Sequence, residues 1–107
     1  MNERANVAYS EQFRIVAKEW VDLDNAATML EETKSAVLSQ KMAALGDIPV
    51  SHAERAVKSS TEWLDFIKKM VDARSAANLK KVQMEYLRMK FSEWQSENAN
   101  KRAEMRL

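Results

Sequence analysis

The sequence predicts an all-α protein, a long antiparallel helical hairpin with coiled-coil-like contacts and a short helical elbow. Three observations support this prediction. The 107 residues include one glycine and one proline, too few for the turns of a β-sheet protein. Strong helix formers such as Ala, Glu, Lys, Met and Leu dominate the composition. Two long segments repeat apolar residues every three or four positions, which is the spacing of one helix face.

The first predicted helix covers residues 10–45. Its apolar series begins at Phe13, Val16 and Trp20 and continues at the same spacing to Ala44. Gly46 follows the series directly, where a glycine in the left-handed conformation often ends a helix. Pro49 comes three residues later and disfavours continuation of the helix.

An elbow with a short helix is predicted over about 46–59. Ser51 precedes Glu54 by three residues, the spacing of a capping box, and this box opens a helix through about Lys58. A second box, with Ser59 at the cap, opens the last helix, predicted over about 60–98. Residues 99–107 lack the periodicity, so they are predicted to fray. All 107 residues form a single domain in this interpretation.

The two apolar series match if the chain folds back so that the numbers of facing residues add to about 107, which places Phe13 opposite Trp94. Charge favours the same folding, because residues 1–54 hold 5 basic and 9 acidic side chains while residues 55–107 hold 12 and 7. Asp24 and Glu31 lie seven residues apart on one face. They are expected to pair with Lys80 or Lys81 across the hairpin.

A second apolar series on the last helix is formed by Leu79, Val82, Tyr86 and Met89. It is offset from the first series by two residues, or about 200° around the helix. One hairpin cannot bury both series, and exposed apolar patches usually mark an interface. The sequence therefore predicts a homodimer that forms a four-helix bundle. A compact three-helix monomer, with the elbow helix covering part of this surface, is the alternative.

Catalytic and cofactor-binding patterns are missing from the chain. The chain has no cysteine and one histidine, His52, and its single glycine excludes glycine-rich phosphate loops. We therefore expect no enzymatic activity, no metal and no cofactor. The pattern that does suggest a ligand is basic: Arg74, Lys81 and Arg88 recur every seven residues, and such a stripe can bind the phosphates of nucleic acids.

Residues 73–81 (ARSAANLKK) through 91–96 (FSEWQS) resemble small helical proteins encoded by tailed bacteriophages, some of them of unassigned role beside recombination genes. The resemblance covers about half the chain and carries over no functional residues. It implies the cytoplasm of a bacterial host and an accessory role in phage DNA metabolism or against a host system. A cytoplasmic protein without a membrane partner is also expected from the lack of an apolar segment long enough to span a bilayer.

Two functions are consistent with these observations. The first is a non-enzymatic accessory protein, a homo-oligomeric hairpin that binds another protein of the host or the phage. The alternative is an accessory factor that binds nucleic acid through the basic stripe during recombination or replication.

Overall fold

A computed structural model describes residues 8–106, in which three α-helices and no strand occur. The helices are α1 (Tyr9–Ala43), α2 (Val50–Lys58) and α3 (Thr61–Met105). The predicted all-α helical hairpin with a short elbow helix is therefore confirmed.

The end of α1 depends on Gly46, as the sequence predicts. The helix stops at Ala43, two residues before the predicted end, and the N–H of Gly46 donates a hydrogen bond to the Ala43 carbonyl at 3.2 Å. The φ angle of Gly46 is +88°. Because side chains disfavour this left-handed conformation, glycine suits the position.

The predicted capping box at Ser51 is wrong. Helix α2 begins at Val50, its N-cap residue is Pro49, and no side chain caps it. The Pro49 carbonyl accepts hydrogen bonds from the N–H groups of His52 and Ala53, both at 3.0 Å. Ser51 is already inside the helix, so its hydroxyl is not in the capping position.

The cap of α3 is Ser60 and not Ser59. The Ser60 hydroxyl oxygen accepts a hydrogen bond from the Trp63 N–H at 3.3 Å. Ser59 is the C-cap of α2, and its hydroxyl donates to the Arg55 carbonyl at 2.9 Å. The Ser60 hydroxyl also donates to the Val57 carbonyl of α2 at 2.6 Å, so Ser60 contacts both helices.

Helix α3 ends at Met105, beyond the predicted end at about 98. The extra residues are mainly good helix formers, including Lys101, Arg102 and Glu104, and no glycine or proline interrupts them. The predicted end of the helix at about 98 is therefore too early, while the fraying of residues 99–107 stays a prediction. Residues 1–7 and 107 lie outside the described residues.

The described residues form two compact units. The terminal unit comprises residues 8–22 and 78–106, and the elbow unit comprises Leu23–Ala77. The buried residues among those described all belong to the elbow unit, and they are Ala27, Ala53, Val57, Trp63 and Ala77.

The register between α1 and α3 differs from the prediction. In the terminal unit the rings of Tyr9 and Phe91 lie 6.5 Å apart, and in the elbow unit Arg74 contacts Thr28. The numbers of facing residues thus add to about 100, not 107. Tyr9 takes the place beside Trp94 that the sequence assigns to Phe13. The difference is about one heptad, and a seven-residue repeat matches itself after such a shift.

Candidate interaction surfaces

An ion-pair cluster joins α1 and α3 within the elbow unit. The Arg74 guanidinium donates to Asp24 Oδ1 at 2.6 Å and to both carboxylate oxygens of Glu31, at 2.7 and 3.0 Å. It also donates to the Thr28 hydroxyl at 3.2 Å. Paired contacts of this kind match the forked geometry of arginine.

These contacts shift the pKa values of the cluster in the directions that favour its charged forms. The hydrogen bond from Arg74 lowers the pKa of Glu31, and the hydrogen bonds to Glu31 and then Asp24 raise the pKa of Arg74. Two carboxylates therefore already bind the guanidinium that the sequence assigns to a phosphate. Arg74 also replaces the predicted partners of these acids, Lys80 and Lys81. Lys80 pairs instead with Glu19 in the terminal unit.

The predicted apolar series on α3 lies open to solvent in the terminal unit. Leu79, Val82, Tyr86 and Met89 have exposed fractions of 53% to 61%, and we call these four residues the α3 stripe. Their spacing of three or four residues places them on one face of the helix. The described structure thus contains an uncovered apolar strip about three turns long.

Lys90 borders the α3 stripe. Its ammonium nitrogen lies 5.7 Å from the centre of the Tyr86 ring and 3.6 Å from the Glu93 carboxylate. Tyr86 and then Glu93 raise the pKa of Lys90. The lysine therefore remains charged beside the aromatic ring, where a cation–π contact is favourable.

A groove of about 490 Å³ separates α1 from α3 beside the stripe. Its floor includes Val16 and Leu87, and its walls include Ile15 on α1 and Tyr86 on α3. The Glu19–Lys80 ion pair lies at the groove as well. Tyr86 belongs to both the groove and the stripe, so the two features form one continuous surface.

Buried side chains are missing from the described part of the terminal unit. By contrast, nine large apolar side chains of this unit are exposed: Ile15, Val21, Leu79, Val82, Tyr86, Met89, Phe91, Trp94 and Met105. Apolar surface is ordinary on a protein, but a helical pair whose facing side chains, such as Val16 and Leu87, are only half-buried is unusual. Burial of this apolar surface against a partner would therefore be favourable.

Aromatic side chains cluster at the start of α1 and near the end of α3. The rings of Phe91 and Trp94 stack with centroids 6.0 Å apart, and Tyr9 meets both of them edge-on. The guanidinium of Arg88 lies 5.8 Å from the centre of the Phe13 ring. The apolar series predicted from the sequence omits Tyr9, although Tyr9 precedes Phe13 by four residues and so continues that series.

The predicted phosphate-binding residues fall in different units. Arg74 belongs to the elbow unit, whereas Lys81 and Arg88 belong to the terminal unit. Lys81 and Arg88 are both exposed. The structure therefore leaves two of the three cations accessible to a ligand.

Other candidate chemistry is sparse in the described residues. His52 is exposed on α2. Between residues 8 and 106, no group of three or more His, Asp or Glu side chains is placed to hold a metal ion. Over the same range, no helix combines the length and the apolar character that crossing a membrane requires.

Comparison with known proteins gives no match to a family model, a curated protein or a solved structure. The resemblance to phage-encoded helical proteins therefore stays a prediction.

Proposed function

We propose that the protein is a non-enzymatic interaction protein that dimerises through the α3 stripe and forms a four-helix bundle. The observation that carries this proposal is the lack of buried side chains in the described terminal unit, together with its nine exposed large apolar residues. Burial of apolar surface is the dominant favourable contribution to folding and to most protein association. Pairing of two terminal units supplies the interior that one copy lacks.

The size of the stripe is consistent with a weak dimer. Complete burial of one large apolar side chain contributes about 1.5–3 kcal/mol. Four side chains that are each more than half exposed therefore contribute roughly 3–6 kcal/mol per copy, or about 6–12 kcal/mol per dimer. The cost of association is about 4–15 kcal/mol. Because these two free energies are comparable, the fraction of the protein that is dimeric should depend on the protein concentration.

Sedimentation velocity between about 1 and 100 µM tests this proposal, since a micromolar dimer dissociates within that range. Tyr86→Lys places a charge in the stripe and should leave the protein monomeric throughout. Met29→Lys is the matched control, because Met29 is 66% exposed but lies on α1 in the elbow unit, away from the α3 stripe. Dimerisation of the control should equal that of the wild type. A wild-type protein that is monomeric at the highest concentration would overturn the proposal.

The same proposal includes a further partner, a host or phage protein that the dimer binds in an infected bacterium. Its support is the resemblance over residues 73–96 and the groove beside the stripe, which presents both apolar and polar side chains. Copurification with the dimeric wild type, compared with the Tyr86→Lys variant, tests whether the partner needs the dimer.

A second candidate is the binding of single-stranded nucleic acid at the aromatic cluster. The exposed, stacked Phe91 and Trp94 offer a surface for bases, and Lys81 and Arg88 of the same unit can contact phosphates. Fluorescence anisotropy with an oligothymidylate tests it, and the affinity should fall steeply with salt. Trp94→Ala should weaken binding, whereas the Arg74→Gln control should not. An anisotropy that does not rise at low salt removes this candidate.

A further inference from the structure

We infer that the partner on the α3 stripe is a second copy of the chain, with its α3 running antiparallel and the twofold axis between Val82 and Tyr86. This inference rests on the proposed dimerisation and adds the orientation of the two helices. Three properties of α3 favour it: the sizes of the stripe residues, the charges that follow the stripe, and the helix dipole.

The residue sizes fit an antiparallel pair. In that arrangement Leu79 faces Met89 of the second copy, which has a similar volume, and Val82 faces Tyr86, so that the smallest side chain of the stripe meets the largest. In a parallel pair each residue faces its own copy, which places two Tyr86 rings against each other and two valines against each other. Alternation of large and small residues across an interface fills space more evenly.

The charges along the same helix face oppose a parallel pair. Beyond Met89 the stripe positions, at spacings of four or seven residues, are Glu93, Glu97 and Glu104, and all three are exposed. A parallel pair aligns each glutamate with the same glutamate of the second copy, and like charges on neighbouring helical positions are destabilising. An antiparallel pair separates these acids, because they lie at opposite ends of the interface. It also lets the two helix dipoles attract each other.

The orientation has a consequence for the groove. Tyr86 forms one of its walls, and in the antiparallel pair Val82 of the second copy packs on Tyr86. Each groove is then bordered by both copies. A partner in the groove would therefore contact the dimer and not a single chain.

Disulfide trapping tests the orientation, and the chain has no cysteine to interfere. Leu79→Cys and Met89→Cys copies, one of them carrying a mass tag, are mixed and mildly oxidised. Val82→Cys and Tyr86→Cys copies form a second pair, which guards against the loss of dimerisation in either set. Disulfides need Cα atoms about 4.4–6.8 Å apart, so the mixed disulfide should exceed each disulfide between identical copies at least about fivefold. Ser92→Cys, exposed but outside the stripe, should give no disulfide.

The outcomes separate the inference from the proposed function. If disulfides between identical copies dominate in both pairs, the helices are parallel and the inference is overturned while dimerisation stands. If sedimentation shows dimers but neither pair forms a disulfide, the stripes do not face each other and the inference fails as well. If the wild type is monomeric in sedimentation, the proposed function itself is wrong.

Discussion

Substitution of Ala27 by leucine tests how closely α1 and α3 approach each other in the elbow unit. The Ala27 side chain has no exposed surface, whereas the neighbouring Ala26 is exposed on the same helix. Ala27→Leu therefore adds three carbon atoms where there is no room for them, and Ala26→Leu adds the same atoms on the solvent side. Both substitutions keep a strong helix former, so helix propensity changes little and equally in the two variants.

Overpacking of a tight core costs about 1–3 kcal/mol. For a domain of this size each kcal/mol lowers Tm by roughly 4–8 °C, so Ala27→Leu should melt on the order of 10 °C below the wild type. Ala26→Leu should melt within about 2 °C of it, because surface substitutions change stability by about 0.5 kcal/mol at most. Circular dichroism at 222 nm during heating measures both, at one low protein concentration because dimerisation shifts Tm.

The comparison between the two leucine variants decides the outcome. If Ala27→Leu and Ala26→Leu melt together, the helices do not meet at Ala27, and the antiparallel contact in the elbow unit is misplaced. If Ala26→Leu is the less stable variant, α1 is rotated from its described orientation. Either result contradicts the described packing of α1 in the elbow unit.

Three further predictions concern the elbow unit. The Val57 side chain is 4% exposed, so Val57→Ala should lower the free energy of unfolding by about 2 kcal/mol in urea titrations. The Val50 side chain is 70% exposed, so Val50→Ala should change this free energy by less than about 0.5 kcal/mol. Equal effects would contradict the burial of α2. Gly46→Ala should lower the free energy of unfolding by about 1–2 kcal/mol in the same titrations, because the φ of Gly46 is +88°. An unchanged free energy of unfolding would contradict the left-handed turn. Because the pKa of Glu31 is lowered, its contribution to stability is present above the ordinary pKa of 4.5 and is lost as the pH falls through the lowered value. Glu31→Gln should thus be less stable than the wild type at neutral pH but not in acid, whereas Glu32→Gln should follow the wild type throughout; a constant difference for Glu31→Gln would contradict the ion pair.

Much of the fold is predictable because the helices are local features. The composition and the apolar spacing indicate helices, and Gly46 ends α1 by its own conformational freedom. The register is not local. Asp24 and Glu31 find a basic partner at Lys81 in one register and at Arg74 in the register one heptad away, and the sequence pattern is almost equally satisfied by both. The two registers are distinguished by the ion pairs of Arg74 in the elbow unit and by the ring contacts of Tyr9 in the terminal unit.

The capping residues fail for a different reason. A serine can cap a helix start or bind the last carbonyls of the preceding helix, and the chain has two serines in a row between α2 and α3. Sequence spacing alone assigns Ser59 to α3, because Glu62 follows three residues later. The described hydrogen bonds show that Ser59 binds a carbonyl near the end of α2, while Ser60 caps α3 and also donates to the Val57 carbonyl of α2. Competition between neighbouring helices is not visible in either motif alone.

The difference between the two units also bears on the choice between a monomer and a dimer. Helix α2 supplies Ala53 and Val57 to the buried residues, and both belong to the elbow unit. The short helix therefore provides a third layer of side chains where the chain turns, and no described residue of α2 belongs to the terminal unit. Two helices alone bury one stripe each, so for the described residues of the terminal unit we propose that further burial comes from helices of a second molecule. This favours the dimer over the compact three-helix monomer, and it makes the α3 stripe the place where substitutions should affect association and not folding of the elbow.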